Sequence, residues 1–312
     1  VPLIPQPILV NGATHSAQQF RLLVEDLSRG NEGVTHGTDL KVTELGTPGG
    51  SVQVASGTGV IRGRAAAFQG TYAAANVGST TVDIAPTGGT GRSDLLILRV
   101  EDPEYEGSLD PAVDPIAYFQ VISNVSSSAT TIPDGRTGIP LARIDIPAST
   151  STITNAMITD VRKIANPRRE RTLLPPQSPT SLSAELGAST TYSYFSTAAG
   201  WNIPVPDWAS IARVRVDGSA LRLTTADFYG GFRATFGASL VVQNVTIDDN
   251  GGATTRRIQS VAADTLTIPD AYRGTTQLLR AQAAGYTGNA GRIAVDPSST
   301  LIGDIEFIEA PR

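Results

Sequence analysis

At 312 residues the chain is long enough to bury a sizeable core and to form two domains. Its net charge of −5 excludes the basic footprint of a nucleic-acid binder, the absence of cysteine excludes disulfides and thiolate metal sites, and no run reaches the ~18 apolar residues of a membrane span. Gly 31 and Pro 20, with 40% hydrophobic and 17% charged residues, favour short strands and turns in a water-soluble protein.

Residues 1–9 combine three prolines with apolar side chains, which reads as an extended arm that must dock on something. Leu3, Ile4 and Ile8 are its candidate assembly contacts. Val1-Pro2-Leu3-Ile4-Pro5 has neither a basic n-region nor an h-region, so a signal peptide is not expected. Ser16-Ala17-Gln18-Gln19 matches a capping box, and Phe20, Leu23, Val24 and Leu27 follow helical spacing up to Gly30. The pattern predicts one strong helix, about Ala17–Arg29.

From Gly33 the period becomes two. Short strands are predicted at Leu40–Leu45, Ser51–Ala55, Gly59–Arg64, Gly70–Ala75 and Thr80–Ile84. Ser93–Glu101 has four apolar residues in a row, too few for a buried helix, and reads as a strand covered on both faces. Asp102-Pro103 ends it and opens an acidic loop that runs to Pro115 and is expected to be solvated. Ile116–Ser123 and Ile139–Pro147 return as strands, the second with the first in one sheet, and Ile153–Val161 fits a short helix capped by Thr154. Asn166-Pro167-Arg168-Arg169-Glu170-Arg171, then Leu174-Pro175-Pro176-Gln177-Ser178-Pro179, has the composition of an extended linker. Nine or ten further strands follow, which suits a β-sandwich of jelly-roll type. The expected organisation is mainly β: an N-terminal β-rich domain with one helix at 1–165, a proline-rich linker at 166–181, and a C-terminal β-sandwich at 182–312.

Catalytic signatures are sparse. His15 and His36 are the only histidines and are not spaced as zinc ligands, and no Gly-x-Ser-x-Gly elbow occurs. Gly57-Thr58-Gly59-Val60-Ile61-Arg62 falls one glycine short of a dinucleotide fingerprint and lacks a following helix, so a turn explains it better. Asp248-Asp249-Asn250-Gly251-Gly252 lacks EF-hand spacing and reads as a hairpin turn. Glu101, Asp102, Glu104 and Glu106 share one loop with no apolar pocket to raise a pKa. No cofactor and no enzymatic activity are expected.

The aromatics of the C-terminal domain carry more information. Tyr192, Tyr194, Phe195, Trp201 and Trp208 lie close together, followed by Phe228, Tyr229 and Phe232. Three readings stay open: core filling, a subunit interface, or a surface that stacks on sugar rings. Trp201 and Trp208 lie in turn-like sequence, so Trp201, Trp208 and Tyr229, with Asp207 beside Trp208, are the candidate receptor or glycan contacts. Arg168, Arg169 and Arg171 are candidate contacts to a neighbouring subunit or to the acidic loop.

Several segments together resemble a known family. They are Val10-Asn11-Gly12, the capped helix, Asp39-Leu40-Lys41-Val42, Arg92 to Pro103, Ile139 to Ala148, and Ile158-Thr159-Asp160-Val161-Arg162. Over about residues 8–172 they resemble minor tail or baseplate structural proteins of tailed bacteriophages, the pattern known from phages of GC-rich actinobacterial hosts. Lys41 and Lys163 are the only lysines, which agrees with a GC-rich source. The resemblance implies a virion structural part without catalytic residues, at the tail tip or baseplate. It also implies an oligomeric adaptor, expected as a homotrimer, that carries or is a receptor-binding module; the expected partners are other tail or capsid proteins and, on the aromatic reading above, a host-surface glycan. The alternatives are a capsid-bound decoration or fibre protein, or a glycan-degrading tail enzyme; the latter needs a facing carboxylate pair that no predicted strand supplies.

Overall fold

The structure, a computed structural model, describes residue 4 and residues 7–312. The chain divides into two compact units, Val1–Pro167 with Ala310–Arg312, and Arg168–Glu309. Leu3 of the predicted arm lies outside the described residues; Ile4 is exposed, and Ile8 is half-buried in a turn.

In the first unit the Ala17–Ser28 helix starts at the predicted capping box: Ser16 Oγ accepts from Gln19 N (3.2 Å) and Gln19 Oε1 from Ser16 N (2.8 Å). Its buried face is not the apolar one. Phe20 and Leu27 are 49% and 73% exposed, whereas Arg21 and Ser28 are buried. The reason is a polar hub. Arg21 Nε donates to Gln69 O (2.8 Å), and its Nη atoms pair with Asp102 (3.3 Å) and Glu104 (2.8 Å). The guanidinium lies over the rings of Tyr72 and Tyr105, 5.4 and 5.1 Å from their centres. A buried cation so fully partnered fixes the helix orientation, because breaking it leaves charge without solvent. Gly70 makes the approach possible: at φ +79° it has no Cβ, which would come within 2.7 Å of Arg21. The start of the acidic loop is therefore not a solvated stretch. Asp102 is buried, accepts from Tyr72 Oη (2.8 Å), and burial pushes the Tyr72 phenol well above its ordinary pKa.

Three antiparallel sheets surround the core of this unit. One contains Val42–Glu44, Ser51–Val54 and Thr80–Asp83; a second Gly33–Val34, Gly57–Arg62 and Thr71–Asn76. The third runs Ile158–Asp160, Gly138–Ile146, Arg92–Val100, Ala117–Val125. Arg92–Val100 is covered on both sides: Leu96, Leu98 and Val100 join the main core, while Leu95 and Ile97 pack on Val161 with Ile122 and Val125 against them. The predicted helix at Ile153–Val161 is instead a single 3-10 turn, Asn155–Met157, and then a strand. Thr154 makes no side-chain cap, Asn155 exchanges two 2.8 Å hydrogen bonds with Glu44, and Ile158–Asp160 completes the open edge of Gly138–Ile146.

The second unit is a sandwich of two antiparallel sheets. The first runs Arg169–Leu173, Thr300–Ile308, Ile211–Thr224, Arg256–Thr267, with Arg292–Ala294 also on Ile211–Thr224. In the second, Ser193–Tyr194 and Trp201–Pro204 pair with Thr276–Gly285, then Phe228–Phe236, then Leu240–Val241 and Val245–Asp249. Alternation drives the layering: Ala212, Val214 and Val216 face the core, and Arg213, Arg215 and Asp217 face outward. Phe228, Phe232 and Phe236 are fully buried, and Phe236 meets Phe307 of the opposite sheet with ring centres 6.3 Å apart. A bulge between Gly218 and Leu221 lets Ile211–Thr224 continue as one long strand. Asp248–Gly252 is not a hairpin turn, because the strands flanking it belong to different sheets.

From Arg168 onward the predicted linker belongs to this unit. Arg169–Leu173 pairs antiparallel with Asp304–Ile308, and Gln177 exchanges two 2.8 Å backbone hydrogen bonds with Leu301. The charges that read as part of a linker are complementary to carboxylates on the last strand and at its end.

Candidate recognition surface

The predicted contact residues separate. Trp201 is 6% exposed, sits in the strand that pairs with Thr276–Leu279, and donates Nε1 to Pro175 O (2.8 Å). It is a core residue, which removes it from any surface; its turn-like sequence reflects Gly200, after which the strand begins at once. Trp208 follows Pro206 in a turn, packs half-buried on the core, and carries the Arg168 guanidinium 5.2 Å from its ring centre. Asp207 is exposed and adds to the field on Arg168. Tyr229 is 44% exposed on the outer side of the second sheet.

Within the second unit the arginines at 168–171 face carboxylates of the last strand and its end. Arg168 binds the buried Glu309 through two bonds (2.8 and 3.0 Å), Arg169 approaches Glu306 (3.9 Å), and Arg171 grips Asp304 (2.5 Å). On the same outer face Arg213 pairs with Glu306 (3.2 Å) and Arg215 with Asp217 (2.9 Å). Arg171 lies opposite Glu306 across the strands, Glu306 opposite Arg213, and Asp304 opposite Arg215. Arg169, Arg171, Arg213 and Arg215 have side chains 56–70% exposed, and their carboxylates only 14–21%. The result is an open cleft of about 520 Å³ with guanidiniums above and acids beneath. Hydrogen bonds from Arg171 hold the Asp304 carboxyl below its ordinary range.

The opposite outer face has another chemistry. Its outward positions are Tyr192 and Tyr194 on one side, Arg280 and Gln282 next, then Tyr229, Arg233 and Thr235. Arg233 lies 3.8 Å from the Tyr192 ring centre and donates Nε to Gln282 Oε1 (2.9 Å). Arg280 stacks on Tyr194 (4.6 Å) and donates to Ala198 O (2.8 Å) and Phe195 O (3.1 Å). Tyr229 meets Tyr286 edge to face at 5.2 Å, and Tyr286 Oη accepts from Asn244 Nδ2 (2.8 Å). Gly231 sits between: a Cβ there would lie 2.0 Å from Tyr192 Oη and 2.6 Å from Tyr286 Oη, so the missing side chain is what seats both phenols. Burial and a hydrogen bond with Tyr286 push the Tyr192 phenol up to about 12. Among the described residues neither Arg233 nor Arg280 forms an ion pair. Sequence reading named Tyr192, Tyr194 and Tyr229 but missed Tyr286, Arg233 and Arg280; for the two arginines the available signal was their place between buried positions, Arg233 between Phe232 and Ala234 and Arg280 between Leu279 and Ala281. Among the described residues no group of three or more His, Asp or Glu side chains is arranged to hold a metal ion.

No protein-family model matches the chain, and no curated protein matches it. Among solved structures it is similar to infectious bursal disease virus Gx strain, at 11% identity over 90% of this chain and 67% of that chain, with a TM-score of 0.27. The VP2 subviral particle of infectious bursal disease virus gives 12% identity over 90% and 79%, with a TM-score of 0.23. The insecticidal delta-endotoxin Cry8Ea1 of Bacillus thuringiensis gives 8% over 89% and 54%, also with a TM-score of 0.23. At these scores the likenesses carry no argument about this chain.

Proposed function

We propose that the chain is a non-enzymatic structural protein of a tailed-phage virion, at the tail tip or baseplate, with the first unit as anchor and the second as the displayed, host-contacting part. One observation carries the reading. The segments that hold the family resemblance, Arg92 to Pro103, Ile139 to Ala148 and Ile158 to Arg162, supply adjoining strands of one sheet. They are thus a single structural unit and not scattered matches. Arg162, which closes the last segment, is buried with its guanidinium on Asp160 (2.6 and 2.9 Å) and on the carbonyl oxygens of Asp39 (2.5 Å) and Arg312 (3.2 Å).

Assembly as a homotrimer is part of the proposal. Self-association or docking on other virion proteins would cover exposed Ile4, Leu9, Val10, Phe20, Leu27 and Phe68. The test is a map of purified virions with a tag on this chain. Density at the tail tip supports the reading, density on the capsid turns it to a decoration or fibre protein, and absence from particles overturns it. Light scattering of the purified chain tests the trimer.

A further inference from the structure

We propose that the outer face bearing Tyr194, Tyr229, Arg233 and Arg280 binds an acidic saccharide, its anionic group on the two guanidiniums and its ring against the exposed tyrosines. The argument begins with unused donors. A guanidinium has five N–H groups. Arg233 engages its Nε–H with Gln282, and no acceptor meets its Nη groups among the described residues. Arg280 spends Nε and Nη2 on two carbonyl oxygens and keeps Nη1. On the other outer face every arginine of the cleft is already matched to a carboxylate.

Position follows from register. Arg233 lies opposite Gln282 and Thr235 opposite Arg280, so the two arginines are diagonal neighbours on adjacent strands, roughly 7–8 Å apart at the backbone. That spacing lets both reach one carboxylate or phosphate. Each is held before any ligand arrives, by a ring face and by neutral acceptors, so little rotamer entropy remains to be lost on binding. The one carboxylate opposite Tyr229, exposed Asp248, leaves the face with net positive charge. Tyr194 and Tyr229, 39% and 44% exposed, offer ring surface beside hydroxyl groups, which suits the mixed apolar and polar faces of a sugar. A stable protein interface needs an apolar centre, whereas the exposed aliphatics of this sheet, Val241 and Leu278, lie beyond the arginines.

The inference rests on the host-contact reading for its purpose, but in-vitro binding and virion location are measured separately, so either fails alone. The full chain is titrated with a polyuronate, a sugar-phosphate polymer and a neutral glucan. Binding to at least one acidic polymer, weakened by salt, is expected; the two acidic arms tell carboxylate from phosphate. Arg233→Ala is expected to reduce affinity about tenfold or more, Tyr229→Ala less, and Arg213→Ala on the opposite face not at all. The thermal midpoint checks folding, and if Arg233→Ala lowers it, Arg233→Lys and the salt dependence of the unmodified chain decide. No acidic-polymer binding, equal binding of the glucan, an unchanged Arg233→Ala, or capture of a virion protein alone through this face overturns the proposal.

Discussion

The two outer faces of the second unit use the same cation with opposite partners. On the sheet of Arg169–Leu173, Thr300–Ile308 and Ile211–Thr224, each guanidinium of the cleft covers a carboxylate of its own chain. On the sheet of Phe228–Phe236 and Thr276–Gly285, each guanidinium covers a tyrosine ring. A carboxylate consumes both the charge and the donors of an arginine; a ring holds it in place and leaves them outward. The first face therefore fixes strand register, and the second keeps capacity for a ligand.

The largest expected effect separates core from surface. Trp201→Ala is expected to cost about 3–5 kcal/mol in urea unfolding, while Tyr229→Ala stays within about 0.5 kcal/mol; similar costs would erase the contrast. Next, Arg168→Ala strips Glu309 of its bidentate partner and is expected to cost about 1–3 kcal/mol, discounted because Arg168 is half exposed. A loss near zero would mean that water serves Glu309 as well.

Acid acts on the first face. Asp304 and Asp296 are held below 3.8 by hydrogen bonds from Arg171 and Arg257, so their stabilisation is present above that pH and lost as pH falls below it. Calorimetry from pH 5 downward is expected to show a falling midpoint that Arg171→Ala flattens. Alkali acts on the second face. Tyr192 is raised from 10.0 to about 12, so its contribution is full below pH 10 and disappears as pH rises toward 12; Tyr192→Phe removes that slope. Among the ion pairs the smallest effect is Arg213→Ala, about 0–1 kcal/mol for an exposed pair; a larger value would show the ladder to be cooperative.

Features set by neighbours in sequence were legible. Ser16 and Gln19 announced the helix start, and the apolar run after Asp94 announced a strand buried on both faces. Features set by distant partners were not. Arg21 sits on the polar side of a helix until Gln69, Tyr72, Asp102 and Glu104, all far along the chain, surround it. Arg169–Leu173 has the composition of a linker, and its pairing with Asp304–Ile308 makes it a strand. The recognition face was half legible: exposed Tyr229 was named with its aromatic neighbours, but which of them face outward depended on a sheet register that local sequence does not carry.

The return of Ala310–Arg312 to the first unit has a consequence for synthesis. Arg312 N donates to Gly37 O (2.9 Å), and Arg312 O accepts from Arg162, yet these residues leave the ribosome only after the whole second unit. A chain cut short anywhere within 168–309 lacks these residues of its first unit. The second unit also departs and comes back at one point, where Glu309 N donates to Arg168 O (3.0 Å). Recombination can exchange everything between those two residues for a foreign module while both cut ends stay together.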